Sequence, residues 1–174
     1  MLGMNARRAA GWLRAASLAP VVFVGMSLAA EGAHGGEGSP IYGVTIPDGY
    51  RRWDLVAPSL EADPLNELRA ILGNDSAMTA YGQGTLPFPD GTVLVKLAWK
   101  RVPSTEFGPA SVPGAPTTVQ IMVKDSERYA GTGGWGFGRF IDGVPVDEAQ
   151  HETCFGCHEA NVKNHDLVFT RFAR

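Results

Sequence analysis

The residues with the most chemistry in this chain are Cys154-Phe155-Gly156-Cys157-His158, because the Cys-x-x-Cys-His spacing attaches a haem covalently. Two thiols three positions apart lie on one helical turn, so each can add to one vinyl group of the same macrocycle. The histidine immediately after them is placed under the iron as proximal ligand. The chain has only 2 cysteines in 174 residues, which excludes a disulfide framework and a four-cysteine zinc site. A disulfide across so short a loop would add little stabilisation. A thioredoxin-like pair should sit inside a βαβ unit rather than close to the C-terminus. Zinc held by Cys154, Cys157 and two of His151, His158 and His165 would leave the adjacency of Cys157 and His158 without a reason. The expected cofactor is therefore one covalent haem c, with His158 as the iron ligand.

Covalent haem attachment takes place outside the bacterial cytoplasm, and the N-terminus agrees. Arg7, Arg8 and Arg14 form a basic region, Leu18 to Ala30 is apolar, and small residues come next. Residues 1–32 are expected to be a signal peptide cut after Ala29 or after Gly32, which directs the protein to the periplasm. The apolar run is short and interrupted by glycine for a membrane span. A cut after Ala29 removes three arginines and no acidic residue, taking the formal net charge from −3 to −6, so nucleic acid is not an expected partner. The glycine-rich stretch to Pro40 reads as a flexible leader (33–40), and residues 41–174 as one haem domain of ordinary size.

The elements that must position the motif read as an α+β fold, mainly antiparallel sheet with flanking helices. Asp63-Pro64 has the form of a helix start and Gly73-Asn74 of a stop, with Leu65, Leu68, Ile71 and Leu72 as the apolar stripe. A second short helix is expected over Asp75 to Tyr81. Strands are expected over Thr92 to Val102, Thr117 to Lys124 and Trp135 to Asp142, with a loop from Pro103 to Pro116. The Cys-x-x-Cys-His motif should open a C-terminal helix, and Leu167 to Phe172 reads as a fourth strand.

The sixth coordination position decides between electron transfer and ligand chemistry. His151 and His165 are each seven residues from His158, about 10 Å along a helix, and cannot readily reach the opposite haem face. Met78 or Met122 on the iron would make an electron carrier, but neither sits in a recognisable ligand loop, and Met122 reads as core packing in a strand. An open sixth site is the expectation. Lys96 lies in an otherwise apolar strand, either as an edge lysine reaching water or as an amine beside the haem. Arg69 is either a helix-surface residue or a partner of a haem propionate. Phe88 and Phe107 are either plain packing or a cover for the distal face.

Several segments together resemble the cytochrome P-460 family, which includes the cytochromes c′-β. These are Tyr50-Arg51-Arg52-Trp53, Asn66-Glu67-Leu68-Arg69, the stretch from Phe88 through Asp90-Gly91-Thr92 to Lys96, Gly133 to Phe137, Cys154 to His158, and Asp166 to Arg171. The resemblance implies a mainly antiparallel β domain, a homodimer, and one five-coordinate haem with a proximal histidine. In the hydroxylamine-oxidising members a lysine at the position of Lys96 is linked to the macrocycle, and Arg69 resembles a pocket arginine. Here Leu97 comes directly after Lys96, where those members tend to have an acidic residue. The cytochromes c′-β instead have an apolar distal pocket and bind nitric oxide or carbon monoxide.

The expected function is a periplasmic mono-haem cytochrome that binds nitric oxide in a dry, aromatic-lined pocket. The alternative is a hydroxylamine and nitric oxide oxidoreductase, with Lys96 linked to the haem and Glu148 or Glu152 as proton acceptor, served by a periplasmic redox partner. Both glutamates could equally be solvated acids. A plain electron-transfer cytochrome is the third reading.

Overall fold

The computed structural model describes residues 36–174. The expected signal peptide lies outside the described residues. Among the described residues no helix is long and apolar enough to cross a membrane.

The domain is an α+β fold built on one six-stranded antiparallel sheet in sequential order. The strands are β1 (Asp54–Glu61), β2 (Glu67–Gly73), β3 (Val93–Pro103), β4 (Ser111–Lys124), β5 (Trp135–Ile141) and β6 (Val144–Pro145). Helix α1 (Asp75–Gln83) joins β2 to β3, and α2 (Glu148–Val162) comes after β6.

The stretch expected to be a helix from Asp63 to Gly73 is instead a turn leading into β2. Its leucines and isoleucine fit a helical stripe, but Glu67, Arg69 and Ile71 also alternate with Leu68, Ala70 and Leu72 on the two faces of a strand. Pairing with β1 on one side and β3 on the other decides the matter. Asn74 is a helix start rather than a stop. Its side-chain oxygen accepts the amide of Ala77 at 3.1 Å and that of Val93 at 3.0 Å, capping α1 and fixing the start of β3.

Strand β1 has no counterpart among the strands expected from the sequence. It carries Pro58 in mid-strand, which an edge strand tolerates because one side of its backbone needs no ladder partner. Strand β4 begins at Ser111, so the β3–β4 loop is shorter than expected. The stretch after Leu167 is not a strand. It is an irregular tail tied down by the Ala173 amide to Val56 O at 3.0 Å and by the Tyr81 hydroxyl to Thr170 O at 3.1 Å.

Residues directly opposite in an antiparallel ladder share a face. One face of the sheet therefore collects Arg69 and Ile71 of β2, Leu94, Lys96 and Ala98 of β3, Gln120 of β4, and Phe137 and Arg139 of β5. The opposite face collects Leu72, Val95, Leu97, Ile121 and Phe140, all buried. Gly136 is obligatory at its position, because the Tyr129 ring packs so closely that a Cβ there would lie 2.3 Å from it. The packed domain starts earlier than Ile41: buried Ser39 donates its hydroxyl to Phe137 O at 2.8 Å.

Candidate haem site

Helix α2 carries the attachment motif. Asp147 caps it by accepting the Gln150 amide at 3.0 Å, so the motif falls in the middle of the helix rather than opening it. Cys154, Cys157 and His158 stand at i, i+3 and i+4, which places them on one helical face. Both cysteines are free thiols. Burial pushes the Cys154 thiol above its ordinary pKa, partly offset by the positive charge of Arg139.

His158 is held in one orientation. Its Nδ1 lies 2.6 Å from the carbonyl oxygen of Leu167, which can only accept, so Nδ1 carries the proton and Nε2 keeps its lone pair. Burial lowers the imidazole pKa, so the ring is favoured in the neutral form that a metal requires. Phe137 and Phe169 flank the ring, with centroids 5.0 and 4.9 Å away. Neither aromatic stands out in the sequence as a site residue. The signal for Phe137 is its place in β5, between Gly136 and Gly138.

Of the other described histidines, His151 has both ring nitrogens hydrogen-bonded and His165 has one. His151 is fully buried: its Nε2 accepts the Arg139 amide at 3.1 Å and its Nδ1 lies 2.9 Å from Asp147 O. Nε2 ties α2 to β5 and Nδ1 bonds the cap of its own helix, so both ring nitrogens are used and His151 is not a zinc ligand. His165 places Nδ1 2.7 Å from Val168 O. Met78 and Met122 both pack against the hydrophobic core.

Lys96 faces this site. It lies between Ile71 and Gln120 in the ladder, at the centre of the sheet, so the edge-strand reading does not hold. Burial, and after it the positive charge of Arg69, lowers its pKa to about 8. Arg139 and Cys154 also act on Lys96, and Lys96 in turn acts on His158, which ties the lysine to the motif.

Arg69 projects from β2 rather than from a helix. It pairs with Glu61, and with Glu67 through Nε at 3.0 Å and Nη2 at 2.7 Å. Burial and then the nearby Arg139 charge lower its pKa. Glu67 is 5% exposed, and its second oxygen accepts the Thr117 hydroxyl at 2.7 Å. It is the carboxylate that sequence reasoning misses. The clue, Glu67 two residues before Arg69, brings the two side chains together only on a strand.

Glu148 and Glu152 are exposed on α2. Phe88 is core, packed on Tyr81 at 5.0 Å and Trp135 at 5.9 Å, and Phe107 is 64% exposed on the β3–β4 loop. The site face thus combines Lys96, Arg69, Gln120 and Arg139 with the apolar Ile71, Leu94 and Phe137, and Phe88 and Phe107 are not part of it. The Nε of Arg139 is buried with no hydrogen-bond partner among the described residues.

These residues fit a haem. Two unpaired thiols lie on one helix face beside a neutral imidazole with a free Nε2, and the half-buried cations Lys96 and Arg139 stand nearby to meet propionates. A search of curated proteins gives no match. The family model for Cytochrome P460 matches residues 47–170, which takes in the sheet, both helices and the motif. The chain belongs to the Cytochrome P460 family and is a haem-binding cytochrome.

Proposed function

We propose that this is an exported, periplasmic mono-haem c-type cytochrome whose open sixth coordination position binds nitric oxide or a similarly small ligand such as carbon monoxide. Cys154 and Cys157 hold the macrocycle through thioether bonds, and His158 Nε2 binds the iron. When bound, the haem supplies the coordination and redox chemistry. The chain supplies a fixed proximal ligand, cations for the propionates, and a sheet face on which polar and apolar side chains alternate with one another. A homodimer and a periplasmic redox partner complete the reading.

The observation that carries it is the commitment of the alternative axial ligands. His151 uses both ring nitrogens, His165 packs edge-on against the core residue Phe88 at 6.2 Å, and Met78 and Met122 are half-buried and packed against the core. His158 is left as the iron ligand on the proximal side, which supports a five-coordinate centre over an electron carrier.

The hydroxylamine-oxidising alternative is favoured by one specific observation, the half-buried Lys96 amine on the same face as Arg69 and close to the motif. In that reading Lys96 is linked to the haem. The proton-accepting carboxylate is Glu67, which is buried in this cluster, rather than the exposed Glu148 or Glu152.

Optical spectra of the matured ferric and ferrous protein, with nitric oxide and with hydroxylamine, separate the readings. A high-spin c-haem spectrum that responds to nitric oxide and ignores hydroxylamine is the expected result. A strongly red-shifted ferrous Soret band, with a haem mass that changes in Lys96→Ala, would establish the oxidase. A low-spin spectrum indifferent to both would contradict the open site.

A further inference from the structure

Asp166 collects three hydrogen bonds. Lys124 Nζ donates to its two oxygens at 2.8 and 3.0 Å, and the Phe88 amide donates to Oδ2 at 2.8 Å. Lys124 is only 6% exposed, donates also to Gly133 O at 3.0 Å, and lies 5.1 Å above the Trp135 ring. A lysine buried to this degree is tolerated because it has a carboxylate and a carbonyl as partners.

The backbone on the C-terminal side of Asp166 gives this pair a role. Asp166 and Leu167 both have positive φ, 48° and 63°. Left-handed backbone is unfavourable for L-amino acids, and a leucine adopts it only when its surroundings impose it. The turn points the Leu167 carbonyl back at α2, 2.6 Å from His158 Nδ1. Gly133 leaves room for this turn, since a Cβ there would lie 2.8 Å from Leu167 Cδ1. The constraint is therefore tertiary. The Lys124–Asp166 pair anchors the residue before Leu167 to the end of β4 and to the segment entering β3.

We infer that Asp166, clamped by Lys124, is a positioning residue that sets the donor strength of His158 toward iron by holding the Leu167 carbonyl against Nδ1. This rests on the reading of His158 as the iron ligand. A short Nδ1–H···O bond makes the imidazole more basic and a better electron donor, which favours ferric over ferrous iron. Loosening the clamp lengthens that bond and shifts the balance toward ferrous iron.

The test uses the matured holoprotein with three variants. Asp166→Asn keeps an oxygen for the Phe88 amide and removes the charge that holds Lys124. Lys124→Met keeps the apolar stem against Trp135. Ile121→Ala, a buried residue on the opposite sheet face, controls for general destabilisation. The measurements are the iron–histidine stretching frequency in the ferrous state and the midpoint potential. Asp166→Asn and Lys124→Met are each expected to lower the frequency and shift the ferric–ferrous equilibrium toward ferrous by about three- to tenfold, the upper value corresponding to about 59 mV for one electron. Ile121→Ala is expected to change neither. Wild-type protein lacking an iron–histidine vibration would overturn the underlying functional reading. A normal wild-type vibration, with both clamp variants matching the control, would overturn this inference alone.

Discussion

The imidazole of His151 accepts the backbone amide of Arg139 at 3.1 Å, a hydrogen bond that ties the helix carrying Cys154 to strand β5. The side chain is fully buried, and its other nitrogen is bound to the carbonyl of Asp147 in the cap of the same helix.

His151→Ala removes both bonds, strands the Arg139 amide and opens a cavity. The expected loss is about 2–4 kcal/mol in denaturant unfolding of the holoprotein. A loss under about 0.5 kcal/mol would show that α2 is held to the sheet by other contacts.

Glu67 and Glu61 both pair with Arg69 but differ in burial. The Glu67 side chain is 7% exposed and that of Glu61 is 44% exposed. Glu67→Gln leaves a buried guanidinium poorly compensated and is expected to cost about 3 kcal/mol. Glu61→Gln breaks a largely solvated pair and should cost under about 1 kcal/mol. Equal costs by urea titration would contradict the assignment of Glu67 as the buried anchor of Arg69.

Lys96 gives a pH signature. Its pKa falls from 10.5 in the reference state to about 8 in the folded chain. Between those values the unfolded chain binds more protons than the folded one, so stability rises with pH across that window. Below about 8 the amine is charged in both states, and the folded protein carries the whole cost of burying it. Thermal unfolding from neutral pH to about pH 10 should show this rise in the wild type and not in Lys96→Met. Flat profiles in both would contradict a free, partly desolvated amine, and are what a lysine–haem link produces.

Much of this arrangement is legible in the chain. Strands β3, β4 and β5 are rich in β-branched and aromatic residues between turn signals, and the spacing of the cysteines announces the chemistry of α2. The parts that escape the sequence depend on tertiary partners. Strand β2 shows helical and strand periodicities together, and only its neighbours choose between them. Strand β1 hides behind Pro58, whose meaning changes at a sheet edge. Residues 167–172 have strand-forming side chains, yet the left-handed Asp166 and Leu167 turn the chain away from any ladder. Arg69 is picked out as a candidate in the sequence, but placing it on a helix conceals Glu67, which reaches it only along a strand.

Everything proposed for this protein depends on a single haem held by Cys154 and Cys157, and intact-mass spectrometry of the matured protein under denaturing conditions reads that attachment without intermediaries. One covalently added haem is expected in the wild type and none in Cys154→Ala with Cys157→Ala. Haem mass persisting in the double variant, or absent from the wild type matured alongside the haem-attachment machinery, would contradict it.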